Sequence, residues 1–216
     1  MISALKTRWL SIVVHVGAWI PFAVIVWDAL TNHLSADPIR DIILRTGKTA
    51  LVLLVLSLAC TPANTLFGFR IALKVRRALG LYAFFYALAH AVIFIGVDYG
   101  FDIVLLQGAI LERPYALVGA AAFLILVPLA ITSTKGWMKR LGRRWTMLHR
   151  WVYLAALLVV AHFVWLVKLD VREPLTYGAI VVLLLTLRVR VVREWIAHLR
   201  SRPSLPLVKN ATRLPQ

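Results

Sequence analysis

Long apolar runs separated by short polar connections dominate the chain. Six of them fall at roughly 10–29, 49–67, 78–97, 114–133, 148–167 and 174–191. Each approaches the roughly 20 mostly apolar residues needed to cross a hydrocarbon core. A bilayer offers no hydrogen-bond partners to an open backbone, so each run is read as a helix. The pattern predicts an all-α fold: a polytopic bundle of six transmembrane helices forming one domain over 1–216, with a C-terminal tail at 192–216. The connections are too short to build a soluble domain. No internal repeat, low-complexity segment or Gly-x-Gly-x-x-Gly is visible, which argues against a dinucleotide-binding module.

Composition supports the membrane reading. Hydrophobic residues make up 61% of the 216 and charged residues 16%, with mean hydropathy +0.82. Soluble domains carry about 45–50% apolar and about 25% charged residues. Net charge is +16, which in a soluble protein would suggest nucleic acid. Here its distribution gives another explanation. The N-terminus, the second-to-third and fourth-to-fifth connections and the tail share all but six of the 25 basic residues. Only Arg40, Arg45, Lys48, Arg113, Lys168 and Arg172 lie on the other side, together with eight of the nine acids. Such alternation supports an even span count with both termini in the cytoplasm. A single cysteine, Cys60, rules out an internal disulfide.

Trp9 and Trp27 bracket the first run, Trp151 and Trp165 lie near the ends of the fifth, and Trp137 and Trp145 lie in the basic loop, all read as interfacial anchors. Gly47-Lys48-Thr49 mimics the end of a phosphate loop, but Ile42 stands where such a loop needs glycine. Lys48 is therefore read as an interface lysine.

Histidine carries the candidate chemistry. His33 and His198 fall in polar segments, whereas His15, His90, His149 and His162 lie in or beside apolar runs. An ionisable residue inside a bilayer is costly and is a functional candidate by default. His90 lies about 12 Å of helix from the outer end of the third run, and His162 about 9 Å from that of the fifth. Two neutral imidazoles at similar depth suit axial ligation of one haem iron. Ala83, Ala87 and Tyr86, at helical spacing from His90, are read as flanking a porphyrin face. Zinc is the rival metal, but it wants about four ligands, and no carboxylate or cysteine lies at this depth. His149 sits about 20 Å lower than His162 and marks a candidate second haem. His15 is a candidate opposite ligand, and thirteen residues before His90 stands Arg77. The inner arginines Arg76, Arg77, Arg143 and Arg144 serve orientation, with propionate, flavin phosphate or an acidic protein as sharper readings.

Leu79-Gly80-Leu81-Tyr82 through His90, and Leu141-Gly142-Arg143-Arg144-Trp145 through His149 to His162, resemble the ferric-reductase-like transmembrane family. Within it they are most similar to the haem-bearing membrane subunits of bacterial methionine-sulfoxide reductase systems. Ala36-Asp37-Pro38-Ile39-Arg40-Asp41, Thr46-Gly47-Lys48-Thr49-Ala50-Leu51, Arg113-Pro114-Tyr115 and Thr132-Ser133-Thr134 match in order, so the resemblance covers nearly the whole chain. It implies b-type haem held by His90, His149 and His162. It also implies a periplasmic molybdopterin partner, MsrP, that repairs methionine sulfoxide in oxidised proteins. Electrons would come from the quinone pool or a cytosolic flavin reductase, and FMN is associated with the family. The oxidase relatives' fused FAD/NADPH domain is absent. The resulting expectation is a non-catalytic electron-transfer subunit. The rival readings are a small transporter or proton/metal relay using the same histidines, and a cofactor-free anchor.

Overall fold

A computed structural model of the chain describes residues 2–167, 170–189, 192 and 194. Regular structure among them is entirely helical. The helices are α1 (Ile2–Leu30), α2 (Pro38–Phe67), α3 (Ala72–Val92, prolonged by a π-helical turn Ile93–Asp98), α4 (Ile103–Glu112), α5 (Pro114–Ile131), α6 (Lys135–Leu141), α7 (Arg143–His149), α8 (Trp151–Leu166) and α9 (Arg172–Thr186).

Five helical stretches are long and apolar enough to cross a membrane: Thr7–Leu30, Pro38–Phe67, Ala72–Asp98, Pro114–Ile131 and Arg143–Leu166. They match the first five predicted runs and make this a multi-pass membrane architecture. The sixth run, 174–191, corresponds to α9. Its 15 residues span about 22 Å, short of a hydrocarbon core of about 30 Å. Val181 and Pro174 of α9 are nevertheless fully buried, so the helix belongs to the bundle. The end of that run and nearly all of the tail at 192–216 lie outside the described residues.

α2 begins well before position 49, where its apolar run starts. The Asp37 side chain accepts the Arg40 backbone N–H at 3.2 Å, and Pro38 occupies the first turn. Both are start signals that local sequence supplies. The added turns carry charges that join helix ends. Arg45 pairs with Asp28 of α1 and Asp41 of its own helix, and Lys48 pairs with Glu173 of α9.

α2 is the most buried of the five spans. Its Leu51, Leu54 and Leu58 meet Ala83 and Tyr86 of α3, Ala156 of α8 and Val181 of α9. Small residues such as Ala83, Ala155 and Ala156 let helix backbones approach, the usual route to association in lipid. The outward faces are apolar too, as Leu124 and Leu183 show. Trp9, Trp27, Trp151 and Trp165 are all more than half exposed, as interfacial anchors should be.

Three prolines, Pro21, Pro62 and Pro128, lie inside spanning helices, and at the first two a neighbouring side chain enters the ladder. Beside Pro21 of α1, the Tyr86 hydroxyl inserts into the ladder. It donates to the Ala18 carbonyl at 2.6 Å and accepts the Phe22 N–H at 3.0 Å. In α2, Pro62 lacks the N–H that would bond the Leu58 carbonyl. Arg188 supplies the missing donor from beyond the end of α9. Water is absent from a bilayer core, so such repairs are what make an intramembrane proline tolerable.

Candidate functional site

His90 on α3 and His162 on α8 come together. Their ring centroids lie 6.3 Å apart and their planes are inclined at 85°. With metal–imidazole bonds of about 2.0 Å, a separation of this size would leave room for one metal ion between the two rings.

Each ring is held from a neighbouring helix. His90 Nδ1 lies 2.9 Å from the Ile43 carbonyl of α2, and His162 Nδ1 lies 2.7 Å from the Tyr115 carbonyl of α5. A carbonyl only accepts, so Nδ1 carries the proton in both rings. The lone pair is left on Nε2, the arrangement that second-shell bonds impose on metal-ligating histidines.

Four residues beyond each carbonyl stands a glycine. A Cβ at Gly47 would lie 3.0 Å from His90 Nδ1, and one at Gly119 would lie 2.7 Å from His162 Nδ1. Each imidazole thus occupies the place of a missing side chain. The histidine and its carbonyl are 47 residues apart in both cases. α2–α3 and α5–α8 are also the two most intimately packed helix pairs. The structure therefore contains two hairpins of the same register, related by a shift of 72 residues (Gly47 to Gly119, His90 to His162). No internal repeat was evident from side-chain chemistry along the chain, because few identical residues survive outside these positions.

His149, the third predicted residue, lies elsewhere, at the end of α7. Its Nδ1 bonds its own helix, at the Trp145 carbonyl, 3.1 Å away. The ring packed against it is that of Trp145, stacked with centroids 3.9 Å apart. Ser133 Oγ approaches Nε2 at 3.5 Å but gives its hydrogen to the Leu129 carbonyl at 2.7 Å, so the Nε2 lone pair is only loosely engaged. A shift of 72 residues places Arg77, which is exposed, at the position equivalent to His149. His90 and His162 share one tautomer, with Nδ1–H on a backbone carbonyl of another helix, whereas the His149 ring meets two carbonyls, those of Trp145 and Leu129. His15 and His33 instead meet hydroxyls, of Tyr82 and Thr31, and His198 lies outside the described residues.

Other expectations change. Trp145 has a packing role that its place in the basic loop did not reveal: its Nε1–H donates to the Thr132 carbonyl at 2.9 Å, and its ring stacks on His149. Gly142, at φ +51°, provides the turn between α6 and α7 that brings it there. Tyr86 serves the α1 kink, and Ala83 fills the helical core. Gly47, in the false phosphate-loop motif, makes room for His90, while Lys48 pairs with Glu173. Gly47, Gly119, Ile43 and Tyr115 were not singled out as site residues from sequence. The equal glycine-to-histidine spacing in the two hairpins is the signal that marks them. Among the described residues no three His, Cys, Asp or Glu side chains gather as a metal cluster, which leaves zinc without its usual ligand set.

The fold and site define a class: a multi-pass helical bundle with two hairpins whose carbonyl-anchored imidazoles lie 6.3 Å apart at their ring centroids. The family model for the ferric reductase like transmembrane component matches residues 46–160, a stretch that holds Gly47, His90, Tyr115 and Gly119 and ends two residues before His162. Three relatives are each a protein-methionine-sulfoxide reductase heme-binding subunit MsrQ. That of Xanthomonas axonopodis pv. citri is 48% identical over 183 residues, covering 82% of this chain and 84% of the relative. That of Xanthomonas euvesicatoria pv. vesicatoria is 47% identical with the same coverage. That of Deinococcus radiodurans is 46% identical over 169 residues, covering 77% of this chain and 83% of the relative. The chain belongs to the MsrQ family of ferric-reductase-like transmembrane proteins.

Proposed function

We propose that this chain binds b-type haem through His90 and His162 and serves as the membrane electron-transfer subunit of a methionine-sulfoxide reductase. One observation carries the reading: two imidazoles 6.3 Å apart, each anchored through Nδ1 to a backbone carbonyl. The relatives' description as heme-binding subunits supports it.

Haem, when bound, supplies the one-electron chemistry. The chain's residues do the rest. The Ile43 and Tyr115 carbonyls fix the tautomer and strengthen Nε2 as a donor. Gly47 and Gly119 admit the rings. The apolar helices provide a dry, low-dielectric path. His149, with its loosely engaged Nε2, is the candidate ligand of a second haem toward the inner end.

In this proposal α9 completes a sixth span, both termini face the cytoplasm, and the host membrane is the bacterial inner membrane. Electrons enter from the quinone pool or a cytosolic flavin reductase, with FMN as a candidate additional cofactor. They leave to a periplasmic molybdopterin subunit, MsrP, which repairs oxidised periplasmic proteins. The basic bias of the N-terminal, second-to-third and α6–α7 connections supports this orientation.

The test is haem per polypeptide, by absorbance and pyridine haemochrome, on detergent-purified protein. His90→Ala and His162→Ala are each expected to lose the haem held between them, while His149→Ala retains it. A wild type that purifies colourless after haem supplementation would overturn the proposal.

A further inference from the structure

The far end of α2 and the start of α3 meet the start of α8 and the end of α9 around a second feature, on the same helices as the paired histidines but nearer their other ends. Thr61 and Thr65 of α2, Arg76 of α3, Tyr153 of α8 and Arg188 line a cavity of about 150 Å³. No carboxylate lines it, and among the described residues neither Arg76 nor Arg188 forms an ion pair. Two guanidinium charges therefore share one small space without a compensating anion.

Packing explains only part of this. One Arg188 Nη repairs the Pro62 break at the Leu58 carbonyl, and the other donates to Tyr153 Oη at 2.8 Å. Arg188 Nε, however, is buried with no hydrogen-bond partner. A buried donor left unmade is costly, more so on a charged group. Arg76 gives one Nη to Thr61 Oγ1 at 3.1 Å, which turns its guanidinium along the cavity wall.

We infer that this pocket binds a phosphate group. Paired guanidiniums with adjacent hydroxyls match the several acceptor oxygens of a phosphate and its charge. The cavity, about 150 Å³ and open on one side, has room for a phosphate group, and the rest of a larger ligand would extend through the opening. Both an anionic phospholipid headgroup and the phosphate of a soluble ligand present this chemistry. The inference stands apart from the haem proposal, since none of these residues touches His90 or His162 in a hydrogen bond or ring contact.

The experiment uses the full chain in detergent, by native mass spectrometry and thermal melting. Wild type, Arg76→Gln, Arg188→Lys and, as a control outside the pocket, Lys139→Gln are titrated with phosphatidylglycerol, phosphatidylcholine and inorganic phosphate. Arg76→Gln is expected to weaken binding about tenfold or more, while Lys139→Gln binds like wild type. Arg188→Lys keeps the charge but loses the fork, and binds more weakly at an unchanged chromatographic profile. Phosphatidylglycerol binding that inorganic phosphate does not displace assigns the pocket to lipid. Binding or displacement by inorganic phosphate assigns it to a soluble phosphate. Absence of binding of both probes to the wild type, or equal losses in Arg76→Gln and Lys139→Gln, would overturn the inference.

Discussion

Adding one methyl group at Gly119 tests the site more sharply than deleting a histidine. A Cβ there would lie 2.7 Å from His162 Nδ1 and 2.9 Å from Cε1. Comfortable carbon contacts begin at about 3.5 Å, so the ring must retreat by roughly 0.6–0.8 Å. That motion stretches the 2.7 Å bond to the Tyr115 carbonyl and exceeds the roughly 0.5 Å within which a preorganised site must be held. At Gly47 the closest approaches are 3.0 and 3.1 Å, and the same reasoning gives a retreat of roughly 0.4–0.5 Å. Overpacking costs about 1–3 kcal/mol, while alanine in place of a mid-helix glycine returns up to about 1 kcal/mol. The fold should therefore survive in both variants, and any loss will report on the site. Haem content and low-spin spectra of Gly119→Ala, Gly47→Ala and Gly108→Ala would be compared with wild type. Gly108 has open space where its Cβ would go, so it controls for the glycine change itself. The expected order of damage is Gly119→Ala, then Gly47→Ala, then none at Gly108. Gly119→Ala with wild-type haem content and spectrum would refute the claim that the missing side chain makes room for a ligating ring.

Three further outcomes follow from the packing. Tyr86→Phe removes both hydrogen bonds that bridge the α1 ladder at Pro21; a loss of about 1–3 kcal/mol is expected, read as a lower melting temperature in detergent with haem content retained. Pro62→Ala restores an N–H for the Leu58 carbonyl, so Arg188→Gln should destabilise the Pro62→Ala background less than the wild type, by a coupling of about 0.5–3 kcal/mol in a double-mutant cycle. Lys48→Met breaks a half-exposed ion pair with Glu173 and should cost at most about 1 kcal/mol, an effect that shrinks as salt is raised in the melting buffer.

The sequence by itself determined the class of fold and the depth of the key side chains. Apolar runs mark five spans because a bilayer tolerates little else, and a fixed rise per residue converts position into depth, which is how His90 and His162 could be matched. Asp37 and Pro38 also announced an early start for α2, although hydropathy masked it. Depth along one helix says nothing of azimuth or neighbour. In a soluble bundle the apolar stripe would show which face turns inward; here outward faces such as Leu124 and Leu183 are as apolar as the core. Only the tertiary structure could therefore decide that Gly47 seats His90 and Gly119 seats His162, that Trp145 supports His149, and that Arg188 reaches across 130 residues to the carbonyl freed by Pro62. Each of these is a contact between segments distant in the chain, settled by how helices pack rather than by any property of the segment itself.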